Sequence, residues 1–117
     1  KPIIRSDGKF LRDYIYIDDL ISAYTKIFKY MNSSEIKYNA FNFGNNNPIY
    51  VIKILEIILS KFNKSMSFCI IKNSVQNEIN SQYSDSKLAK KVLKWEPRVN
   101  IQDGLTKTIA WYKKFLN

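Results

Sequence analysis

Residues 10–20, FLRDYIYIDDL, change conformation within their own length, and that constrains the chain more than any other feature. The first part is rich in aromatic and β-branched residues, which suit a pleated strand. It ends in the acidic pair Asp18-Asp19. Leu20, Ala23, Tyr24, Ile27, Phe28 and Met31 follow at helical spacing and form one apolar stripe. Asp18 or Asp19 is a suitable N-cap, and a carboxylate there complements the helix dipole. A strand over residues 10–17 must therefore run directly into a helix. That puts Arg12 on a rigid strand with a helix N-terminus nearby. A guanidinium so placed suits a phosphate, which it matches with two parallel hydrogen bonds. The competing reading is an exposed arginine on an edge strand.

The same reading extends along the chain. Residues 2–5 form a short β-like run, and Asp7-Gly8 before residue 10 predicts a hairpin. Residues 40–43 and 67–72 are two further strand candidates. Between them lies the turn cluster 44–47 before Pro48, and then a helix over 51–62 with Ile52, Leu55, Ile58, Leu59 and Phe62 on one face. Residues 73–81 are polar and predict a loop. Asp85 or Ser86 caps a short basic helix through Leu93, broken by Trp95-Glu96-Pro97, with the indole packed on the core. A last helix begins at Asp103, its apolar side made of Leu105, Ile109, Trp111, Tyr112 and Leu116. Strands and helices alternate, which argues for an α/β class, yet the strands are too few and short for a stand-alone doubly wound sheet. The expectation is one region, residues 1–117, cut from something larger, with helix faces left uncovered where a sheet should lie.

Composition removes several functions. With glycine only at 8, 44 and 104, neither a dinucleotide fingerprint nor a P-loop can be written. There is no histidine, so a Ser-His-Asp triad is excluded and the commonest zinc ligand is missing. Cys69 is the single cysteine, so no internal disulfide forms, and a cytoplasmic location is expected. No apolar run is long enough to cross a membrane. The net charge of +9 raises nucleic acid as a partner. The basic residues are spread over the whole chain, however, and lysine far outnumbers the arginine that groove readers favour, so a solvated lysine surface is the better expectation.

Residues 83–87, YSDSK, carry the Tyr-x-x-x-Lys spacing in which a lysine lowers the pKa of a proton-transferring tyrosine. That chemistry needs both side chains on one helix. Tyr83 precedes the predicted cap, so a catalytic role for it is not expected.

Taken in order, these segments resemble the C-terminal portion of an extended short-chain dehydrogenase/reductase of the NAD-dependent nucleotide-sugar epimerase and dehydratase family. The resemblance is carried by PIIRSDG (2–8), RDYIYIDD (12–19), AFNFG (40–44), YSDSK (83–87) leading to LKWEP (93–97), and DGL (103–105) leading to Trp111-Tyr112. Within the family, IIRSDG and Asn77-Glu78-Ile79 before Gln82-Tyr83 resemble the CDP-glucose 4,6-dehydratases.

The resemblance implies a substrate-binding region that closes over a nucleotide diphosphate sugar. Arg12 would contact the diphosphate, and Glu78 would lie near the nucleotide. NAD would be bound by a separate N-terminal domain of the full-length enzyme, itself expected to be a homodimer, and not by this chain. The implied reaction oxidises the sugar at C4, loses water across C5 and C6 and returns hydride to C6, with catalytic groups outside these residues. Two departures stand out. Epimerase relatives carry a second arginine shortly before the segment matching Tyr83, whereas residues 73–82 contain none. The family's usual glycine before the tryptophan is Lys94, a change that matters only if the turn needs a positive φ.

Overall fold

The computed structural model describes residues 1–75 and 77–116. Its strands are two residues long and fall into two small sheets. Strand β1 (Ile3–Ile4) pairs in parallel with β4 (Ile70–Ile71). In the second sheet β2 (Leu11–Arg12) is central, antiparallel to β3 (Ile49–Tyr50) and parallel to β5 (Ser81–Gln82). The helices are α1 (Ile17–Met31), α2 (Val51–Ser60) and α3 (Ile101–Phe115), with a fourth helical segment that starts at Lys87 and widens to a π-turn over Ala89–Leu93.

The expected hairpin does not form. The Asp7-Gly8 turn is present, with Gly8 at φ 79° and its N–H donating to Ser6 Oγ at 3.1 Å, but it joins strands of different sheets. The long expected strand over 10–17 keeps its ladder only at Leu11–Arg12, because Tyr16 already serves as the N-cap residue of α1. Neither Asp18 nor Asp19 caps that helix through its side chain; both lie in its first turn. Residues 40–43 join no ladder among the described residues. Their aromatics pack inward instead, Phe43 edge-on to Trp95 at 4.9 Å. The expected strand at 67–72 is half 3₁₀ turn (Met66–Phe68) and half β4. The expected loop 73–81 gives up Ser81 to β5; residue 76 within it lies outside the described residues.

The core is small. Ala23, Ala89, Leu93 and Trp95 are buried together, with Ile15, Ile27, Tyr30, Phe41 and Phe43 packed around them. Tyr24, Phe28 and Met31 of the predicted α1 stripe stay exposed, because Ala23 and Ile27 turn the helix about its axis toward Trp95. In α2, Ile54 and Leu59 are buried while Phe62, beyond its end, is not. In α3 the expected apolar side does not reach the core. Trp111, Tyr112 and Leu116 are all more than half exposed, and Trp111 stacks on Phe115 at 4.2 Å. That helix begins two residues earlier than predicted, because the Asn100 side chain caps it by accepting from the Asp103 N–H at 2.9 Å.

The chain is thin, 56 × 38 × 19 Å, with a radius of gyration of 17.3 Å. A compact domain of this length would have about 13 Å. Its accessible surface is 8844 Å², about a third above the roughly 6,600 Å² expected for its mass. The apolar helix faces carry much of that excess.

Candidate functional site

Arg12 owes its position to the ladder on both sides of it. Its backbone is in register with Ile49 on one neighbour and Gln82 on the other, so it sits on a central strand and not an edge. Its guanidinium donates from Nη1 to the Leu11 carbonyl at 2.8 Å and from Nη2 to Glu78 Oε1 at 2.6 Å. The Phe10 ring lies under it, 5.4 Å from its carbon to the ring centroid. The ion pair is partly open to solvent, with the side chains 20% and 41% exposed. Arg12 and Glu78, 66 residues apart in sequence, are thus brought together.

The pair stands between two cavities. Arg12 lines a polar one of about 350 Å³ with Asp13, Asn42, Gln82, Tyr83, Ser84 and Asp85. Glu78 and Phe10 line a more apolar one of about 470 Å³ against Ile4, Val51, Ile54 and Ile58. An arginine beside a cavity of amides, hydroxyls and carboxylates can hold an anion while its neighbours hydrogen-bond a hydroxyl-rich group.

Asp13 fixes the end of β2. Its Oδ1 and Oδ2 accept from the N–H groups of Asn45 and Asn46, each at 3.1 Å. The next residue back, Gly44, is clamped by Ser86, whose Oγ accepts from the Gly44 N–H at 2.9 Å, while the Ser86 N–H donates to Asn46 Oδ1 at 3.2 Å. A Cβ on Gly44 would collide with the Asp13 carboxylate and lie 2.9 Å from Ser84 Cβ. Three remote segments are therefore locked around the polar cavity. The sequence offered Asp13 only as the residue after Arg12, and nothing local marked the N–H groups that donate to it.

Asp19, in the first turn of α1, does comparable work. Buried to 4% exposure, its two carboxylate oxygens accept from the Arg98 and Val99 N–H groups, each at 3.0 Å. Its carbonyl, with Ser22 Oγ, receives the Trp95 indole N–H. That is why Asp19 is not spent on capping.

Tyr83 is 63% exposed in the segment before the helix that opens at Lys87, and Lys87 pairs with Asp85 at 3.3 Å. The two residues do not share a helix. The predicted cap at Asp85 is present: its Oδ1 accepts from the Lys87 N–H at 2.9 Å, and that bond holds its carboxyl below the usual range. Burial raises the Tyr14 phenol above its usual value, an effect partly offset by the nearby Arg12 charge. Lys94 has φ 53°, so the turn before Trp95 does need the left-handed conformation. A lysine there costs about 1 kcal/mol that glycine would not. Among the described residues no group of three or more Cys, Asp or Glu is arranged to hold a metal, and no helix is long and apolar enough to cross a membrane.

This is the fold of the C-terminal portion of an extended short-chain dehydrogenase/reductase, an α/β class with few strands and about four helices. The chain superposes with a TM-score of 0.83 and 25% identity on UDP-glucuronic acid 4-epimerase from Bacillus cereus, solved with UDP-glucuronic acid and NAD, covering 98% of this chain and 36% of that one. In sequence it is 33% identical over 116 residues to UDP-glucuronate 4-epimerase of Thermodesulfobacterium geofontis, covering 97% of this chain and 34% of that protein. It is 32% identical over 115 residues to a trifunctional plant protein of Arabidopsis thaliana, named for UDP-glucose 4,6-dehydratase, 3,5-epimerase and reductase activities. That match covers 96% of this chain and 16% of the plant protein. No family model matches. The relatives are thus nucleotide-sugar epimerases and dehydratases, and the chain spans about a third of the length of the first of them.

Proposed function

We propose that residues 1–117 are the substrate-binding region of a NAD-dependent nucleotide-sugar epimerase or dehydratase, and that Arg12 grips the diphosphate of the substrate. The observation that carries this is the placement of Arg12: a central-strand guanidinium on the wall of a polar cavity, within a fold matched at a TM-score of 0.83. Glu78, ion-paired to it, would lie beside the bound nucleotide.

NAD would be held by residues outside this chain. Those present do not fit a dinucleotide: Gly44 is packed on Asp13 and Ser84, and Gly104 against Tyr16, leaving no glycine-lined phosphate cradle. The whole protein would therefore add an N-terminal domain and, by the same reading, form a homodimer in the cytoplasm.

Within this class, CDP-glucose 4,6-dehydratase is the finer reading, supported by the IIRSDG turn and Asn77-Glu78-Ile79. A UDP-sugar 4-epimerase is favoured by the 33% identity to such a protein. A dTDP-glucose dehydratase is the third member of the set. Competition by CDP, UDP and dTDP for the intact protein separates them, since the preferred nucleotide should displace a bound sugar nucleotide at the lowest concentration.

The test of the core proposal is Arg12→Ala in the intact protein. Calorimetry should show binding of the sugar nucleotide weakened by about 1.5–3 kcal/mol. Unchanged affinity would make Arg12 a structural residue only. Binding of RNA or DNA that fades with salt, with no affinity for sugar nucleotides, would instead favour a basic nucleic-acid module.

A further inference from the structure

We propose that Glu78 is the built-in competitor of the ligand's diphosphate at Arg12, and that it sets which anions this site accepts. The inference rests on the reading of Arg12 given above and adds a role for its partner.

Arg12 forms an ion pair with one carboxylate among the described residues. Asp13 is adjacent in sequence, but both of its oxygens are taken by the Asn45 and Asn46 N–H groups. Glu78 supplies the counter-charge, at 2.6 Å from Nη2. Residues on either side of it in the chain are hydrogen-bonded to β1, Arg5 and β2. The Lys72 and Ser74 N–H groups donate to the carbonyls of Ile4 and Arg5, and the Asn80 carbonyl accepts from the Leu11 N–H at 2.9 Å. The carboxylate is therefore presented to Arg12 from two residues before Asn80, which is tied to β2. Being 41% exposed, it can leave toward solvent without unpacking the core.

An anion that takes the Nη2 hydrogen now donated to Glu78 displaces that carboxylate and then sits near it. A monoanion of carboxylate strength gains nothing by the exchange, because it replaces one carboxylate with another. A diphosphate brings several charges and acceptor oxygens that match the guanidinium fork, so it wins. Glu78 thereby discriminates against weak anions by occupying their place, and a matching site lacking it would be less selective.

The experiment is calorimetric titration of inorganic pyrophosphate and of acetate into the intact protein, comparing the parent with Glu78→Gln, Arg12→Ala and the double variant. Glu78→Gln should bind pyrophosphate about three- to fivefold more tightly, the range expected for releasing a partly exposed ion pair. It should also gain measurable acetate binding, and the double variant should lose both gains. If Glu78→Gln binds pyrophosphate equally or less tightly while Arg12→Ala weakens it, the competitor role is overturned and the Arg12 site stands. If Arg12→Ala leaves pyrophosphate binding unchanged, the Arg12 site itself falls. Should the glutamine variant melt early, Glu78→Ala repeats the comparison with the same expected and overturning results.

Discussion

The inner and outer faces of this chain are built on opposite principles. On the inner side, polar groups tie remote segments together: Asp13 serves the 45–46 turn, Ser86 clamps Gly44, and Asp19 holds the turn at 98–99 and, through its carbonyl, the Trp95 indole. Among the described residues, no buried side-chain nitrogen or oxygen lacks a partner. The outer helix faces are the reverse, with Ile17, Ile21, Tyr24, Phe28, Trp111 and Phe115 all more than half exposed. The lesson is that side-chain hydrogen bonds between remote loops supplement a small apolar core. Apolar faces of this size mark surfaces that pack against something else.

Three substitutions bear on the contrast. Trp95→Ala should have the largest effect. It deletes the centre of the small core together with the indole N–H that donates to the Asp19 carbonyl and Ser22 Oγ, costing about 3–5 kcal/mol in chemical denaturation. A loss below 1 kcal/mol would mean that the core is not where the stability resides. Asp19→Ala should come next. It orphans the Arg98 and Val99 N–H groups and should cost about 2–4 kcal/mol. If Asp19→Ala were neutral while Asp18→Ala was destabilising, the acidic pair would be acting as a helix cap after all. The smallest change is expected from Phe28→Ser on the outer face of α1, within about 0.5 kcal/mol in this chain. Binding of an apolar dye should fall at the same time. A large destabilisation would show that this face is already packed.

The helices were legible because their signal is local. Residues 51–62 predict α2, observed as Val51–Ser60, and Trp95-Glu96-Pro97 ends the fourth helical segment where its side chains demand. The strand signals misled where pairing was at stake. Asp7-Gly8 announces a hairpin, yet Ile3–Ile4 finds Ile70–Ile71 instead. Nothing in the turn encodes a partner 67 residues further along. The candidate site was half visible. Arg12 and Glu78 were both singled out, but their ion pair and the double acceptor role of Asp13 were not, since each depends on groups that are remote in sequence. Lys94 taught something further, because only the fold shows that the turn before Trp95 requires a positive φ.

By itself the sequence determined the order of the helices, the lack of a glycine-rich dinucleotide fingerprint, and the likeness to the C-terminal portion of the sugar-nucleotide enzymes. Those follow from periodicity, turn chemistry and residue inventory, which are properties of neighbours along the chain. The tertiary structure alone decided which strands pair, which helix faces are buried, and that Glu78 rather than Asp13 answers the charge of Arg12. Such choices are settled by distance in space and by competition among acceptors, and neither is written in any one segment.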